Sequence, residues 1–231
     1  MEEPRFAIYY APAPSSPLWQ LGSRIIGYDA AEGIEVPLLV PEGVAESDWR
    51  DCTAEPSRYG FHATLKAPFR LSPGTARDDL LEAVSVLACR LPPAPLGGLV
   101  PSRIGNFIAL CSTALPGPQQ ALAQTVVEAL DRLRAPMSEN ERQRRKPDSL
   151  APRQRELLDR FGYPYVAEEF RFHMTLAGPL SDEHCESTLE AVANICAATL
   201  SDSEHHIDRL CVFEQPDRGS PFRITAAFSL G

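Results

Sequence analysis

The pattern of apolar and polar positions predicts strands and helices interspersed along the chain. An aromatic and β-branched run closed by prolines, "RFAIYYAP" from Arg5, predicts a first strand. A short helix should follow, with Ser16 as N-cap, Pro17 at its first position and Gly27 at its end. Residues 29–57 show no clear period and are expected to be irregular.

Further along the chain, apolar residues recur at helical spacing near residues 75–91, 118–133 and 182–200. Strands are predicted near residues 96–104 and 107–112, and at the two closing runs "HIDRLCVFEQ" and "PFRITAAFSL". The links between these elements are short. They favour antiparallel pairing in an α+β fold over a doubly wound parallel sheet.

One phrase, Phe-His-x-Thr-Leu-x-x-Pro, occurs twice, in "GFHATLKAPF" from Gly60 and in "RFHMTLAGPL" from Arg171. Such a repeat marks two equivalent halves. Because successive side chains of a strand point to opposite faces, each copy presents an apolar face and a His–Thr face. Approximate two-fold symmetry would bring both His–Thr faces, near residues 58–69 and 171–180, to one cleft.

Two histidines in one cleft suit the cleavage of a phosphodiester. The reaction needs a base on one side of phosphorus and an acid on the other, and imidazole serves in either role near neutral pH. Threonine hydroxyls beside the histidines can donate hydrogen bonds to the phosphoryl oxygens. The candidate catalytic residues are therefore His62, Thr64, His173 and Thr175, with no metal and no cofactor required.

Composition limits the other possibilities. The chain has 231 residues and a net charge of −9, which argues against a general nucleic-acid binder but not against a local basic pocket. No apolar run is long enough to span a membrane, and the acidic start "MEEPRF" is unlike a secretory signal. The six scattered cysteines favour reduced thiols. A cytoplasmic location with no membrane partner is expected, and oligomeric state is not predicted.

Residues 132–165 form a basic insert, which we treat as a candidate mobile lid. From Arg132 to Arg160 it holds nine basic and five acidic residues, a local charge of +4. Such a run is either a solvated helical face or an anion site. The candidate substrate-binding residues in and around it are Arg144, Arg145, Lys66, Arg171, Tyr59, Tyr163 and Tyr165. Lys66 is included because a regular strand would place it on the His62 face.

The phrases "FHATL" and "FHMTL" resemble the two His-x-Thr/Ser motifs of the 2H phosphoesterase superfamily. That resemblance implies two pseudo-symmetric α+β lobes of antiparallel sheet, helices packed outside, and a central cleft, together forming one two-lobed domain over residues 1–231. It also implies that both histidines and both threonines act in the cleft. "RYGFHATLKAPF", "GYPYV" and "FRFHMTL" more narrowly resemble a bacterial subfamily encoded beside carbon–phosphorus lyase genes.

The subfamily resemblance implies a small phosphorylated substrate, with ribose 1,2-cyclic phosphate 5-phosphate as the natural candidate. The expected activity is therefore that of a metal-independent cyclic phosphodiesterase. Two alternatives stay open at this stage. One is hydrolysis of an RNA 2′,3′-cyclic phosphate end, and the other is non-catalytic binding of phosphorylated metabolites. Which histidine is the acid and which the base also stays open.

Overall fold

The computed structural model describes residues 3–200 and 204–231. Strands and helices are interspersed along the chain, as the hydrophobic pattern predicts. Additional helices occur near residues 46–59 and within residues 132–165. In chain order they are β1 Arg5–Tyr10, α1 Pro17–Ile26, β2 Tyr28–Asp29, β3 Ile34–Glu35, α2 Glu46–Tyr59, β4 Ala63–Phe69, α3 Arg77–Ala88, β5 Ala94–Gly97, β6 Leu99–Ile104, β7 Phe107–Ser112, α4 Gly117–Leu130, α5 Glu139–Arg144, α6 Pro152–Phe161, β8 His173–Ala177, α7 Asp182–Leu200, β9 His205–Ile207, β10 Arg209–Gln215 and β11 Arg223–Ser229.

Seven of the described strands form one antiparallel sheet in the order β11-β10-β1-β4-β8-β7-β6. Helices pack against it, α4 on β4, α2 on β8 and α7 on β6. The expected α+β architecture with a large antiparallel sheet is confirmed. None of the described helices is both long and apolar enough to cross a membrane.

The two motif strands meet at the centre of this sheet. β4 and β8 pair at a single position, Ala63 opposite Met174, and each of these residues directly follows a motif histidine. β1 continues the sheet beyond β4, and β7 continues it beyond β8. This central pairing divides the sheet into four strands on the β4 side and three on the β8 side.

The apolar face predicted for each motif lies in the core. Phe61, Leu65, Met174 and Leu176 are all buried. α1 approaches this face closely at Gly22, where a Cβ atom would stand 2.3 Å from the Phe61 ring. Only glycine permits that approach, because a methyl group would overlap the ring.

The expectation that residues 29–57 are irregular is wrong, since this stretch contains α2. The sequence "ESDWRDCTAEPSRY" has few apolar residues and an internal proline, Pro56, so its period is weak. Its buried residues, Trp49, Thr53 and Pro56, nevertheless lie one helical turn apart, and tertiary packing stabilises the helix. Pro56 has no N–H to donate to Cys52, and the Cys52 carbonyl instead accepts a hydrogen bond from Gly178 N at 2.7 Å, just beyond β8.

Candidate active site

All four motif side chains line one cavity of about 260 Å³. The pairing of Ala63 with Met174 explains why. In an antiparallel pair centred on these two residues, His62 lies across from Thr175, and Thr64 lies across from His173. Since all four alternate with the core-facing residues, they point together to the other face of the sheet.

Both histidines are held in the same way. The Nδ1 atom of His62 lies 2.8 Å from the carbonyl oxygen of Gly60, and Nδ1 of His173 lies 2.8 Å from that of Arg171. A carbonyl oxygen only accepts, so each Nδ1 carries a proton and Nε2 is the nitrogen left to exchange a proton with a ligand. In His62 that Nε2 lies 3.2 Å from the Thr64 hydroxyl. Each ring thus presents Nε2 for proton transfer.

The Gly60 carbonyl is available to His62 because of an unusual backbone conformation. Gly60 ends α2 with φ 77° and ψ 171°, a region that is essentially restricted to glycine. A Cβ atom there would also lie 2.5 Å from the Cβ of Ala30. Glycine at this position therefore orients the first motif histidine.

Both motif strands also carry an irregularity at the same place. Adjacent residues Tyr9 and Ile8 of β1 pair with Thr64 and Lys66 of β4, which leaves Leu65 without an opposing residue. In β8 the same pairing pattern leaves out Leu176, the equivalent leucine of the second copy. Such a bulge changes the direction of the side chains that follow it.

The bulge explains why the expectation for Lys66 is wrong. Lys66 does not share the His62 face and is only 3% exposed. Its ammonium group donates to the Val127 carbonyl at 3.2 Å and to Asp131 at 3.0 Å, on the α4 side. Burial lowers the pKa of Lys66, and the Asp131 carboxylate opposes that effect. We therefore remove Lys66 from the candidate phosphate ligands.

The other candidate ligands divide into two groups. Tyr59, Tyr163 and Arg145 line the same cavity as the histidines, and Arg144 lines an adjoining cavity. Arg171 and Tyr165 are exposed and line neither one, so the structure does not place them against a ligand in the cleft. In the second motif it is the backbone carbonyl of Arg171, not its side chain, that contacts the histidine.

The cavity also contains residues that the sequence pattern did not assign to a ligand. Tyr9, which is fully buried, stacks on His62 with ring centroids 3.8 Å apart and planes inclined by 21°. Arg5 lines the cavity beside it. The sequence did indicate that Arg5 and Tyr9 share a face. Strand alternation puts Arg5, Ala7 and Tyr9 on one face and the apolar Phe6 and Ile8 on the other.

Burial has a direct chemical effect on His62. It lowers the pKa of this imidazole to about 4; the Gly60 hydrogen bond opposes the shift and the neighbouring His173 adds to it. His62 is consequently neutral at neutral pH, with a lone pair on Nε2 that can accept a proton.

His205 and His206 are adjacent in sequence, a pattern that could indicate metal ligation. They lie in β9, with His205 partly buried and His206 exposed, as expected for neighbours in a strand. Within residues 3–200 and 204–231, no three or more His, Cys, Asp or Glu side chains are grouped so as to hold a metal ion.

Comparison with known proteins gives three kinds of match. Residues 64–223 match the family model described as "Protein of unknown function (DUF1045)". Two curated relatives, from Laribacter hongkongensis (strain HLHK9) and Janthinobacterium sp. (strain Marseille), are both named "Ribose 1,5-bisphosphate phosphokinase PhnN" and are both 34% identical to the chain. The alignments cover 95% and 94% of this chain but 50% and 49% of the relatives, so the chain spans about half their length.

Among solved structures, E. coli LigT complexed with 3′-AMP matches with a TM-score of 0.42 and 14% identity, covering 99% of each chain. LigT complexed with NADP+ matches with the same TM-score and 13% identity, covering 100% of this chain and 99% of the other.

Proposed function

We propose that this chain, which belongs to the DUF1045 family of proteins of unknown function, is a metal-independent cyclic phosphodiesterase. The observation that carries the proposal is the cavity lined by both His–Thr pairs, in which each imidazole has its Nδ1 proton fixed by a backbone carbonyl. The 2H-type motifs quoted from the sequence point to the same chemistry. Proton transfers by two histidines account for the reaction without a metal ion.

The state of His62 supports a division of roles. With its pKa lowered to about 4, His62 is the base that accepts a proton from the attacking water, while the water oxygen bonds to phosphorus. His173, in its imidazolium form, then donates its Nε2 proton to the departing ring oxygen as the P–O bond breaks, and keeps its Nδ1 proton on the Arg171 carbonyl. Thr175 donates a hydrogen bond to a non-bridging oxygen, where negative charge increases in the transition state. Thr64 does the same once His62 Nε2 has taken up the proton from water and no longer accepts from the Thr64 hydroxyl.

The substrate that we favour is ribose 1,2-cyclic phosphate 5-phosphate. The curated relatives are named for a kinase of ribose 1,5-bisphosphate, and hydrolysis of the bond between phosphorus and O2 of the cyclic ester yields that compound. This supports breaking the P–O2 bond rather than the P–O1 bond. The resemblance to the subfamily encoded with carbon–phosphorus lyase genes supports the same substrate.

The kinase activity in the relatives' name is not assigned to this chain. A P-loop kinase needs a Gly-Lys pair in its phosphate-binding loop. The chain has two lysines, Lys66 and Lys146, and these follow Leu65 and Arg145. Lys66 is in addition occupied by Asp131.

The test is hydrolysis of ribose 1,2-cyclic phosphate 5-phosphate, followed by identification of the phosphate-ester product. His62→Ala and His173→Ala should each lower kcat by about 10²- to 10⁴-fold, because each removes one proton-transfer group. His184→Ala, at an exposed histidine near the start of α7, is the matched control and should retain the wild-type rate. EDTA should have no effect.

Wild-type rates in either motif variant would refute the assignment. Faster hydrolysis of an oligonucleotide with a 2′,3′-cyclic end would instead identify an RNA-end phosphodiesterase. Binding of phosphate esters without turnover would identify a non-catalytic binding protein.

A further inference from the structure

A second cavity, of about 200 Å³, adjoins the one that holds the motif histidines. The two cavities share four residues in their linings, Arg5, Tyr59, Pro68 and Arg145, so these residues lie at the junction between them. Among the residues that the structure describes, six arginines and one carboxylate, that of Glu141, line the second cavity. In a protein of net charge −9, this concentration of positive charge marks a site for an anion.

Some of these arginines are already neutralised by carboxylates. Arg70 forms a bidentate pair with Glu141 at 2.6 and 2.7 Å, and Arg134 donates to Asp131 at 2.8 Å. Arg5 and Arg145 differ from them. Among the described residues no carboxylate forms an ion pair with either one. Their charge therefore remains available to a ligand.

Arg5 is held in place by a neutral group. Its Nε donates to Oε1 of Gln215 at 2.9 Å, and Nη2 donates to the same oxygen. Gln215 is itself buried, and its Nε2 donates to the Ser220 carbonyl at 2.7 Å, which fixes Oε1 toward Arg5. The guanidinium also lies 5.5 Å from the centre of the Phe222 ring. A buried amide and an aromatic face thus position Arg5 without cancelling its charge.

Arg145 is also positioned by an aromatic ring, with its guanidinium 5.2 Å from the centre of Tyr163. Burial lowers the pKa of Arg5; Tyr59 and Tyr9 oppose this, whereas the positive charges of Arg218 and Arg145 lower it further. These arginines are therefore close enough to repel one another. A bound dianion would relieve that repulsion and would accept several charge-assisted hydrogen bonds.

We propose that Arg5 and Arg145 bind a terminal phosphate monoester of the same molecule whose cyclic phosphate lies between the motif histidines. The inference rests on the proposed function and adds the residues that recognise the second phosphate group of its substrate. Arg5 and Arg145 are then specificity-determining residues.

The test compares two probes, ribose 1,2-cyclic phosphate with and without a 5-phosphate. Wild-type protein should show a higher kcat/KM for the 5-phosphorylated probe. Arg5→Gln should reduce the ratio of the two kcat/KM values by about 10- to 100-fold, because it removes charge-assisted hydrogen bonds to the phosphate. Arg145→Gln, at the end of α5, should reduce the same ratio and provides a second variant in case Arg5→Gln does not fold.

Two further variants sharpen this comparison. Gln215→Glu keeps a hydrogen-bond acceptor for Arg5 but adds a negative charge, and it should also reduce the ratio. Arg90→Gln removes an exposed arginine that lines neither cavity, and it should leave the ratio unchanged. A wild-type ratio near one, or equal losses on both probes in Arg5→Gln and Arg145→Gln, would overturn the inference.

A binding measurement separates this inference from the proposed function. Calorimetric titration with ribose 5-phosphate should show binding to wild type and to His62→Ala, and at least tenfold weaker binding to Arg5→Gln. If wild type hydrolyses neither probe but shows this pattern, the phosphate subsite stands and the hydrolase proposal fails. Absence of millimolar binding to wild type would overturn the subsite.

Discussion

At the scale of single residues, the chemistry of the cleft depends on how each imidazole is fixed. In both motifs Nδ1–H donates to the carbonyl two residues earlier, from Gly60 or from Arg171. The two rings then differ in surroundings. Tyr9 stacks on His62, and burial keeps His62 neutral. On the proposed function, two closely similar sequence motifs are therefore expected to take different proton-transfer roles.

The pH dependence of kcat/KM should reveal this difference. Because kcat/KM reports the free enzyme, a base with its pKa lowered from 6.5 to about 4 stays deprotonated as the pH falls through 6. Activity on the probe that lacks the 5-phosphate should therefore persist at pH 6 and fall only near pH 4. That probe avoids the titration of a terminal phosphate near pH 6.

Tyr9→Ala is the matched variant for the pH profile. It opens the stacked face of His62 to water, so the acid limb should move upward toward the ordinary histidine pKa of about 6.5. An acid limb near pH 6.5 in the wild-type protein would contradict the assignment of His62 as the base.

At the scale of elements, the short helix α5 places Arg144 and Arg145 beside the cavity. Glu141 connects this helix to the sheet, because it pairs with Arg70, the residue after β4, and also accepts from Ser138 at the helix N-cap. The proposal that residues 132–165 act as a mobile lid stays a prediction. The Arg70–Glu141 pair is one of the contacts that such a movement would have to break.

Glu141→Gln tests the positioning role of this contact. If the ion pair holds α5 in place, the variant should raise KM for the 5-phosphorylated probe about 3- to 10-fold with little change in kcat. Simple electrostatics predicts the opposite, since removing a carboxylate from an anion site should lower KM. Glu139, on the same helix, accepts a hydrogen bond from Gln143 and has no contact with the sheet in the described hydrogen bonds. Glu139→Gln therefore serves as the control. A lower KM in Glu141→Gln would refute the positioning role.

At the scale of the whole molecule, buried polar contacts connect the motif strands to the layers around them. Lys66 extends from β4 to Asp131 at the end of α4, and Asp131 also pairs with Arg134. Burial would raise the pKa of Asp131, but the hydrogen bonds and charges of these two cations outweigh it and lower that pKa. This network connects β4 to the end of α4, and Arg134 at its far side also lines the second cavity.

Unfolding measurements should distinguish the contributions that Lys66 and Asp131 make to stability. Asp131→Ala leaves the Lys66 ammonium buried without its carboxylate and should reduce the free energy of unfolding by about 3 kcal/mol. Lys66→Met keeps the volume and leaves Asp131 paired with Arg134, so it should cost less than about 1.5 kcal/mol. Chemical denaturation of both variants gives the comparison. If Lys66→Met loses more unfolding free energy than Asp131→Ala, the ammonium group stabilises the fold through contacts other than its pairing with Asp131.

The local pattern of the chain was sufficient for much of this description. The N-cap at Ser16, the end of α1 at Gly27 and the helix over residues 182–200 could be predicted, because caps and helical spacing involve residues within a few positions of one another. The helix α2 could not, because its stability comes from packing of three buried side chains rather than from its own period.

The sequence by itself determined which side of each motif strand is apolar and which carries histidine and threonine, since strand alternation is a local property of the backbone. Only the tertiary structure decided which other side chains lie in the cleft with the histidines and threonines. A bulge at Leu65 turned Lys66 away. The position of β1 in the sheet brought Arg5 to the junction of the two cavities, and the packing of α5 brought Arg145 there. Register and strand order depend on pairing between distant segments, which no local pattern encodes.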